Sequence, residues 1–392
     1  MNRKKFLSQK WSPYPALPTG PGWEFGTWQN FAGSVPFADS VRLEGEGWTE
    51  GELYSLLFAG DHVGLLKSET GQVTEMTLLA PSQSEEESPV ELKDHFDEFR
   101  LFLSSVRRFF WGRGFLETPT PSLVVCPGTE PHLKAYSVEG GRYLPTSPEI
   151  HLKKRLCLGD QRIFELRPCF RMDPKSSTHR KEFFMLEWYR AYEPLSSLKT
   201  DFLDLIAHLK KEGFWSQALK AHSKSFRDLF EESFQFQLQA QSSREELKAL
   251  FEERQIYFRS EDSKIDLIHR LLLDHFEPSF EGITFLEDFP PEMAILSRIG
   301  SSGFADRFEI YFNQLELANA FYEVNDPEVQ KSRWAEDLAE RRRLGLEELS
   351  MDEELLDLMQ KKGMPPSSGI ALGLDRLFMA GKGLTKISQI GF

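Results

Sequence analysis

The chain has few cysteines, no long apolar run and no excess of positive charge, and each shortage removes a class of protein. Only three cysteines occur in 392 residues: Cys126, Cys157 and Cys169. Their spacing makes neither a paired framework nor a metal pattern, so they are expected as reduced thiols in a cytosolic protein. No apolar stretch approaches the ~20 residues that a helix needs to cross a bilayer. The opening MNRKKFLSQKWSPYPALPTG carries basic residues without an apolar core, so no signal peptide is expected. A net charge of −14 argues against a sequence-blind nucleic-acid binder, though it leaves room for a local basic patch. What is abundant is apolar: 40% of residues are hydrophobic and 33 are Phe, enough to bury a sizeable core.

Composition shifts divide the chain. Residues 1–81 are rich in Gly, Pro and aromatics, with short β-like runs in SVRLEGEGW, HVGLLKSETGQV and TEMTLLA, so a small β-rich domain is expected. Residues 82–88, around SQSEEES, read as a linker. Ser88, Pro89 and Glu91 then stand at capping-box spacing. Leu92, Phe96, Phe99, Leu103, Val106 and Phe110 follow in steps of four and three, one greasy helix face that ends at Gly112 and Gly114. FLETPTPSLV is an extended segment broken by prolines. Strands are expected at 163–171, 182–190, 283–288 and 306–320. Residues 198–276 read as mostly helical, and Ser243/Glu246 and Ser350/Glu353 as capping boxes. Helices interrupting strands joined by hairpins favour a mixed α+β domain over 89–392.

Three constellations carry chemistry. In DRFEIYFNQLELANAFYE, Asn313-Gln314 is a plausible two-residue turn. That register pairs Phe312 with Leu315, Tyr311 with Glu316 and Glu309 with Ala318. Glu309 and Glu316 then share a face above the small Ala318 and Ala320. Two carboxylates over such a floor suit a divalent cation that also holds phosphate oxygens. A solvated strand face is the plain alternative. In FRMDPKSSTHRKEFFMLEWYR, Phe184, Leu186 and Trp188 form a core face, while Phe183, Met185, Glu187 and Tyr189 form a face suited to a flat ring and a cation. Arg171 ends the preceding strand with a fork of donors for phosphate or carboxylate. A structural ion pair between Arg171 and Glu187 would fit the same pattern. Thr146 and Glu149 of TSPE have capping-box spacing, and Gly369, Gly373 and Arg376 form a close-approach loop, readable also as backbone packed tightly on a sheet.

Together these pieces resemble the class II aminoacyl-tRNA synthetases. FR…EFFMLEWYR is similar to their motif 2, GIALGLDR to motif 3, and the helix of 89–111 with GFLETPTP to motif 1, the dimer-forming element. TSPEIHLKKRL, ELANAFYEVNDP and GMPPSSGIALGLDRL resemble the lysine-specific branch. The resemblance covers roughly 90–392 and is nearest to the short ligases that attach (R)-β-lysine to elongation factor P. It implies a class II antiparallel sheet flanked by helices and a homodimer. It also implies ATP as substrate, Mg²⁺ as cofactor, and lysine or β-lysine activated as an adenylate. No protein nucleophile is needed, which agrees with the lack of a Ser/His/Asp or Cys/His set.

Residue by residue, the resemblance implies that Arg171 and Arg376 act in catalysis, Arg171 on the α-phosphate. Phe183 and Arg376 would sandwich the adenine, with Met172, Asp173, Arg180, Leu317 and Gly373 also at ATP. Glu309 and Glu316 would bind Mg²⁺. Glu187, Tyr189 and Glu323 would meet the substrate's side-chain ammonium, and Glu149, beside Ser147 and Pro148, its other amino group. Asn319 and Ala371 would line the amino-acid pocket. Ala371 stands where lysyl-tRNA synthetases have glycine, and the segment before the core is shorter than their anticodon-binding barrel. Both favour elongation factor P over tRNA as acceptor. Met172-Asp173 and His179-Arg180-Lys181 depart from the family's Asn-Glu and His-Asn-Pro. A compact lysyl-tRNA ligase, or a catalytically reduced paralogue that binds lysine or nucleotide as a regulator, stay open on sequence.

Overall fold

The computed structural model describes residues 23–27, 37–43, 46–49, 53, 61–70, 72–80 and 95–391, apart from 132 and 175. They fall into two compact units, Met1–Lys93 and Asp94–Phe392. The first holds one five-stranded sheet. Its strands are β1 (Trp23–Thr27), β2 (Phe37–Leu43), β3 (Glu46–Trp48), β4 (His62–Lys67) and β5 (Val73–Ala80), in the order β1-β4-β5-β2-β3. All neighbours run antiparallel except β2 and β5. Val41, Leu43, Val63, Leu65, Met76 and Leu78 are among its buried apolar residues.

The second unit is built on an eight-stranded sheet. In chain order its strands include β6 (Leu116–Glu117), β9 (Arg162–Phe170), β10 (Glu182–Ala191), β11 (Ala221–Ser225), β12 (Ile283–Glu287), β13 (Arg307–Phe312), β14 (Leu315–Tyr322) and β15 (Ser367–Gly373). The spatial order is β11-β12-β13-β14-β15-β10-β9-β6. A small hairpin, β7 (Ser137–Val138) with β8 (Arg142–Tyr143), stands apart from it. The six central strands pair antiparallel, and only the two edge strands are parallel to their neighbours. This is the α+β class expected.

Side chains alternate across this sheet, and the alternation sorts its two faces. Phe164, Leu166, Leu186, Trp188, Ile370, Leu372, Ala318, Ala320, Phe308 and Ile310 lie on the underside. There they pack on Phe99, Phe102, Val106 and Phe110 of the helix Phe96–Gly112 and on Phe202, Leu205 and Leu209 of the helix Ser196–Lys211. One polar knot ties the underside down. Arg190 grips Asp201 with two bonds of 2.6 and 2.7 Å, and the Trp188 indole N–H donates to the same carboxylate at 3.2 Å. A second apolar cluster, centred on Phe226, Phe230, Phe251 and Phe276, fills the helical segment between β11 and β12.

Several local expectations are corrected. The Ser88–Glu91 cap lies outside the described residues. The Ser243/Glu246 box is present, but the helix Glu353–Lys362 is capped by Asp352, not by Ser350. The Thr146 hydroxyl donates to the Pro127 carbonyl and does not cap; Pro148 precedes the helix Glu149–Cys157 with no side-chain cap. Gly369 and Gly373, expected in a close-approach loop, lie in strand β15, and Arg376 is in the helix that starts at Leu374. Among the described residues no helix is long and apolar enough to cross a membrane.

Candidate active site

The upper face of the large sheet is polar, and strand register orders it. One row crosses five strands as Glu309, Asn319, Ala371, Glu187 and Glu165. The next row reads Arg307, Phe321, Gly369, Tyr189 and Ile163. With strands ~4.8 Å apart, Glu309 and Glu187 stand roughly 14 Å from each other.

The β13–β14 hairpin turns at Asn313-Gln314 as the sequence indicates, with Phe312 opposite Leu315 and Tyr311 opposite Glu316. Glu309, however, faces Asn319 rather than Ala318. A β-bulge at Leu317 shifts the register by one residue. Ala318 and Ala320 therefore belong to the core and are no floor for a cation. The Leu317 side chain is in the core too, so only its backbone is on offer to a nucleotide. The bulge keeps Glu316 and Asn319 on the same face despite their odd spacing.

Glu309 is well satisfied. Arg307 bonds its Oε1, and the Tyr311 hydroxyl donates to its Oε2 at 2.7 Å. Burial pushes its carboxyl up to about 7 against the pull of Arg307, and the Glu316 charge adds to the rise. Glu316 is more open, and Arg376 donates to its backbone carbonyl at 2.8 Å, with the carboxylate 3.7 Å away. Among the described residues no group of three or more His, Cys, Asp or Glu is gathered for a metal. Glu309 and Glu316 are a pair, and a pair fits Mg²⁺, which takes one or two carboxylates and fills its octahedron with phosphate oxygens and water.

The arginines frame a cleft beside this pair. Arg171 lies over the Phe183 ring, 5.3 Å from its centroid, and donates to the Thr146 carbonyl at 3.3 Å. It makes no ion pair with Glu187 among the described residues. The backbone around it is pinned: Arg171 N–H reaches the Lys181 carbonyl at 2.9 Å and Met172 N–H the Lys134 carbonyl at 2.8 Å. The Met172 side chain is exposed, and Asp173 is half-buried. Arg376 meets His179 Nε2 at 2.5 Å and the Thr178 carbonyl at 3.3 Å, holding the loop after Arg171 against β14. Arg180 turns away from the cleft to the Ile387 carbonyl and to Asp375, 3.8 Å off. Gly373 sits against the Arg376 stem.

Glu187, Tyr189 and Glu323 form the other end. Glu187 is 1% exposed; it accepts from the Tyr189 hydroxyl at 3.2 Å through Oε2, and its Oε1 has no partner. Burial drives its carboxyl well above the usual range, and Glu149 adds to the effect. Glu323, also 1% exposed, stands 2.8 Å from Lys153 Nζ, while its Oε1 is unpartnered. Burial raises it to about 7, with Lys153 opposing. Lys153 itself is buried and also bonds Glu149. Burial works against its charge, but the two carboxylates hold it above the ordinary lysine value. Gly369 makes room for this arrangement: a Cβ there would collide with the Tyr189 ring and the Glu323 carboxylate. Ala371 stands between Asn319 and Glu187, and Asn319 Oδ1 accepts from Arg307 at 3.1 Å. Ser147 accepts weakly from Glu149 N–H at 3.4 Å.

The ledger of charge is informative. Among the described residues, Glu149, Glu187 and Glu323 face one another with only the Lys153 ammonium among them, so ionising all three would leave two negative charges uncompensated. Two buried anions with an orphaned oxygen each are costly unless a ligand supplies cations. Lys153 was missed by sequence reasoning, although its place four residues after Glu149 on one helix face was a readable signal. Arg307, which neutralises Glu309, gave none.

Comparison with known proteins agrees with this architecture. Residues 90–392 match the family described as tRNA synthetases class II (D, K and N). The chain belongs to that class II synthetase family. Among its curated relatives is a protein of Salmonella arizonae named elongation factor P--(R)-beta-lysine ligase, 33% identical over 303 residues, 74% of this chain and 91% of the relative. Proteins of the same name from Photorhabdus laumondii, 34% identical over 303 residues, and Hamiltonella defensa, 30% over 306, match with the same coverage.

Proposed function

We propose that the chain activates lysine or (R)-β-lysine with ATP and transfers the acyl group to a lysine side chain of elongation factor P. The observation that carries the reading is Glu187: a buried carboxylate with one unsatisfied oxygen, beside Tyr189 and Glu323, on the same sheet face as Arg171 and the Glu309/Glu316 pair. The names of the relatives support the acceptor, and Ala371 in the amino-acid row supports it further.

In this reading a carboxylate oxygen of the amino acid attacks the α-phosphorus of ATP. The bond from that phosphorus to the bridging oxygen breaks, and pyrophosphate leaves. The acceptor's neutral lysine nitrogen then attacks the acyl carbon, AMP departs and the nitrogen loses a proton. Arg171 supplies positive charge at the α-phosphate, where it builds up in the transition state. Phe183 gives a flat face for adenine, and Arg376 covers the other side once it leaves His179. Met172 and Asp173 border the nucleotide through the pinned backbone, whereas Arg180 braces the loop from outside. Glu187, Tyr189 and Glu323 hold the side-chain ammonium, Glu149 the other amino group, and Ser147, Pro148 and Asn319 shape the walls. When bound, Mg²⁺ at Glu309 and Glu316 would neutralise phosphate charge. Positioning and electrostatics suffice without a protein nucleophile.

Exposed apolar side chains on one stretch, Leu101, Trp111, Leu116, Leu123 and Val125, support a homodimer through the Phe96–Gly112 helix and the strand after it. Pyrophosphate exchange with lysine and β-lysine, followed by labelling with elongation factor P and tRNA in parallel, tests the proposal. Exchange and labelled factor are expected. Labelled tRNA with unlabelled factor rejects the acceptor, and no exchange with either amino acid rejects the enzyme.

A further inference from the structure

Arg180 stands where the family pattern has an asparagine, and its surroundings give that departure a physical reading. The loop from β9 to β10 carries Met172 and Asp173 near one end and His179 and Arg180 near the other. Its second half lies against the turn Ile387–Ile390. One residue of that turn holds it twice: the Ile387 N–H donates to the Ser177 carbonyl at 2.7 Å, and the Ile387 carbonyl accepts from the Arg180 guanidinium. The turn is itself fixed. Ile387 and Ile390 are buried in the core under the sheet, and the Gln389 side chain accepts from the N–H groups of Lys386 and Thr385 at 2.9 and 3.0 Å. Arg180 has a second anchor in Asp375, 3.8 Å away. Asp375 is 3% exposed and accepts from the Phe184 N–H at 2.7 Å. The same carboxylate therefore faces Arg180 and fixes the strand residue next to Phe183. Burial pushes it up to about 6, against the pull of that N–H and of the Arg180 charge.

We propose that the turn Ile387–Ile390 is the seat of the nucleotide loop, and that Arg180 is a positioning residue for ATP that acts through Ile387 and Asp375 and not on the phosphates. This rests on the reading of the chain as an ATP-dependent ligase. In that reading Arg376 leaves His179 to cover the adenine, so one tie on the loop is given up when ATP binds. The two bonds to Ile387 involve no group that meets the nucleotide. They hold the loop in place while Arg376 moves, and a loop already ordered lowers the entropic cost of binding. A guanidinium suits the task. Its fork of five N–H donors meets a carbonyl and a carboxylate at once, and its charge is permanent. An asparagine offers one NH₂ on a shorter stem and no charge for Asp375.

The test reads ATP and the amino acid separately. Pyrophosphate exchange by the full chain, with lysine and with β-lysine, gives KM for ATP and KM for the amino acid. Arg180→Gln is expected to raise KM for ATP about threefold to tenfold, the range for one net hydrogen bond, and to leave KM for the amino acid unchanged. Arg180→Lys, which keeps the charge and a donor, is expected to recover most of the loss. Hydrogen exchange at the Ile387 amide separates the seat from a direct phosphate contact. In the ATP-free protein there is no phosphate for Arg180 to meet, so faster exchange of that amide in Arg180→Gln is expected only if Arg180 holds the loop on the turn. An unchanged Ile387 amide overturns the proposal. So does an unchanged KM for ATP, or an equal rise in both KM values, which marks general loosening. If the unmodified protein exchanges pyrophosphate with neither amino acid, the ligase reading fails and the proposal falls with it; if it does exchange, those outcomes remove the seat alone.

Discussion

Two buried carboxylates lie in the same row of one sheet face and meet opposite fates. Glu309 is gripped by Arg307 and Tyr311. Glu187 receives one tyrosine hydroxyl and keeps an oxygen with no partner. The same strands supply both, so topology does not explain the difference; neighbours do. At Glu309 the fold provides its own cation, the Arg307 guanidinium. At Glu187 it withholds one, and in the proposed function that deficit is where the substrate ammonium binds. Burial of a charge is thus structural where the partner is internal and functional where the partner is missing.

The comparison can be broken from either end. The largest effect is expected for Glu316→Gln, which leaves Glu309 without its companion carboxylate on an otherwise intact hairpin. Metal-dependent pyrophosphate exchange should fall to background while circular dichroism and melting stay unchanged; persistent exchange removes the metal pair. Asp201→Ala strikes the opposite, structural kind of buried charge. It takes two bonds from Arg190, which keeps those to Glu193, strands the Trp188 N–H, and should cost about 3–5 kcal/mol in denaturant unfolding, with the preference for lysine over norleucine retained in the folded fraction.

The smallest effect is a pH slope. Burial holds Glu130, Glu309 and Glu323 near 7, above the usual 4.5 of an unfolded glutamate. The folded state then keeps protons that the unfolded state has lost. Stability is full below about 4.5 and declines as pH rises through about 7. Melting of the ligand-free protein should drop between pH 5 and 7.5, and lysine should restore more at the upper end, where its ammonium groups meet ionised carboxylates. A melting temperature rising over that interval would contradict the raised titration of these buried carboxyls.

How much of this was legible in the sequence depends on the kind of signal. The underside was: Phe184, Leu186 and Trp188 alternate with polar residues, and period-two patterning survives any tertiary context. The hairpin turn was legible at Asn313-Gln314. The bulge was not, because LELANA alternates equally well on either side of the slip, and only the neighbouring strands choose. Cys126, Cys157 and Cys169, expected as reduced thiols, are free; that all three are buried was not indicated by their spacing. Family-like motifs pointed to Glu187, Tyr189 and Glu323 by position; the four-residue spacing could have set Lys153 beside Glu149, but no pattern disclosed that it also reaches Glu323. Glu130 and Gln330 lie two hundred positions apart in the chain and line one cavity where Arg341 and Asp337 clamp the 129–133 loop to the helix Pro327–Arg343, a long-range event that no local motif encodes. Ser350 was mistaken for a cap because Ser-x-x-Glu spacing is common, while Asp352, with an equally good oxygen, sits where the helix starts.

The central claim is that Glu187 is left unsatisfied so that a substrate ammonium can complete it. The most direct measurement is the ratio of kcat/KM for lysine and norleucine in pyrophosphate exchange, in the unmodified protein and in Glu187→Gln. The account predicts a strong preference for lysine that shrinks by about a hundredfold in the variant, together with a higher melting temperature of the ligand-free variant. An undiminished preference for lysine in Glu187→Gln would contradict it.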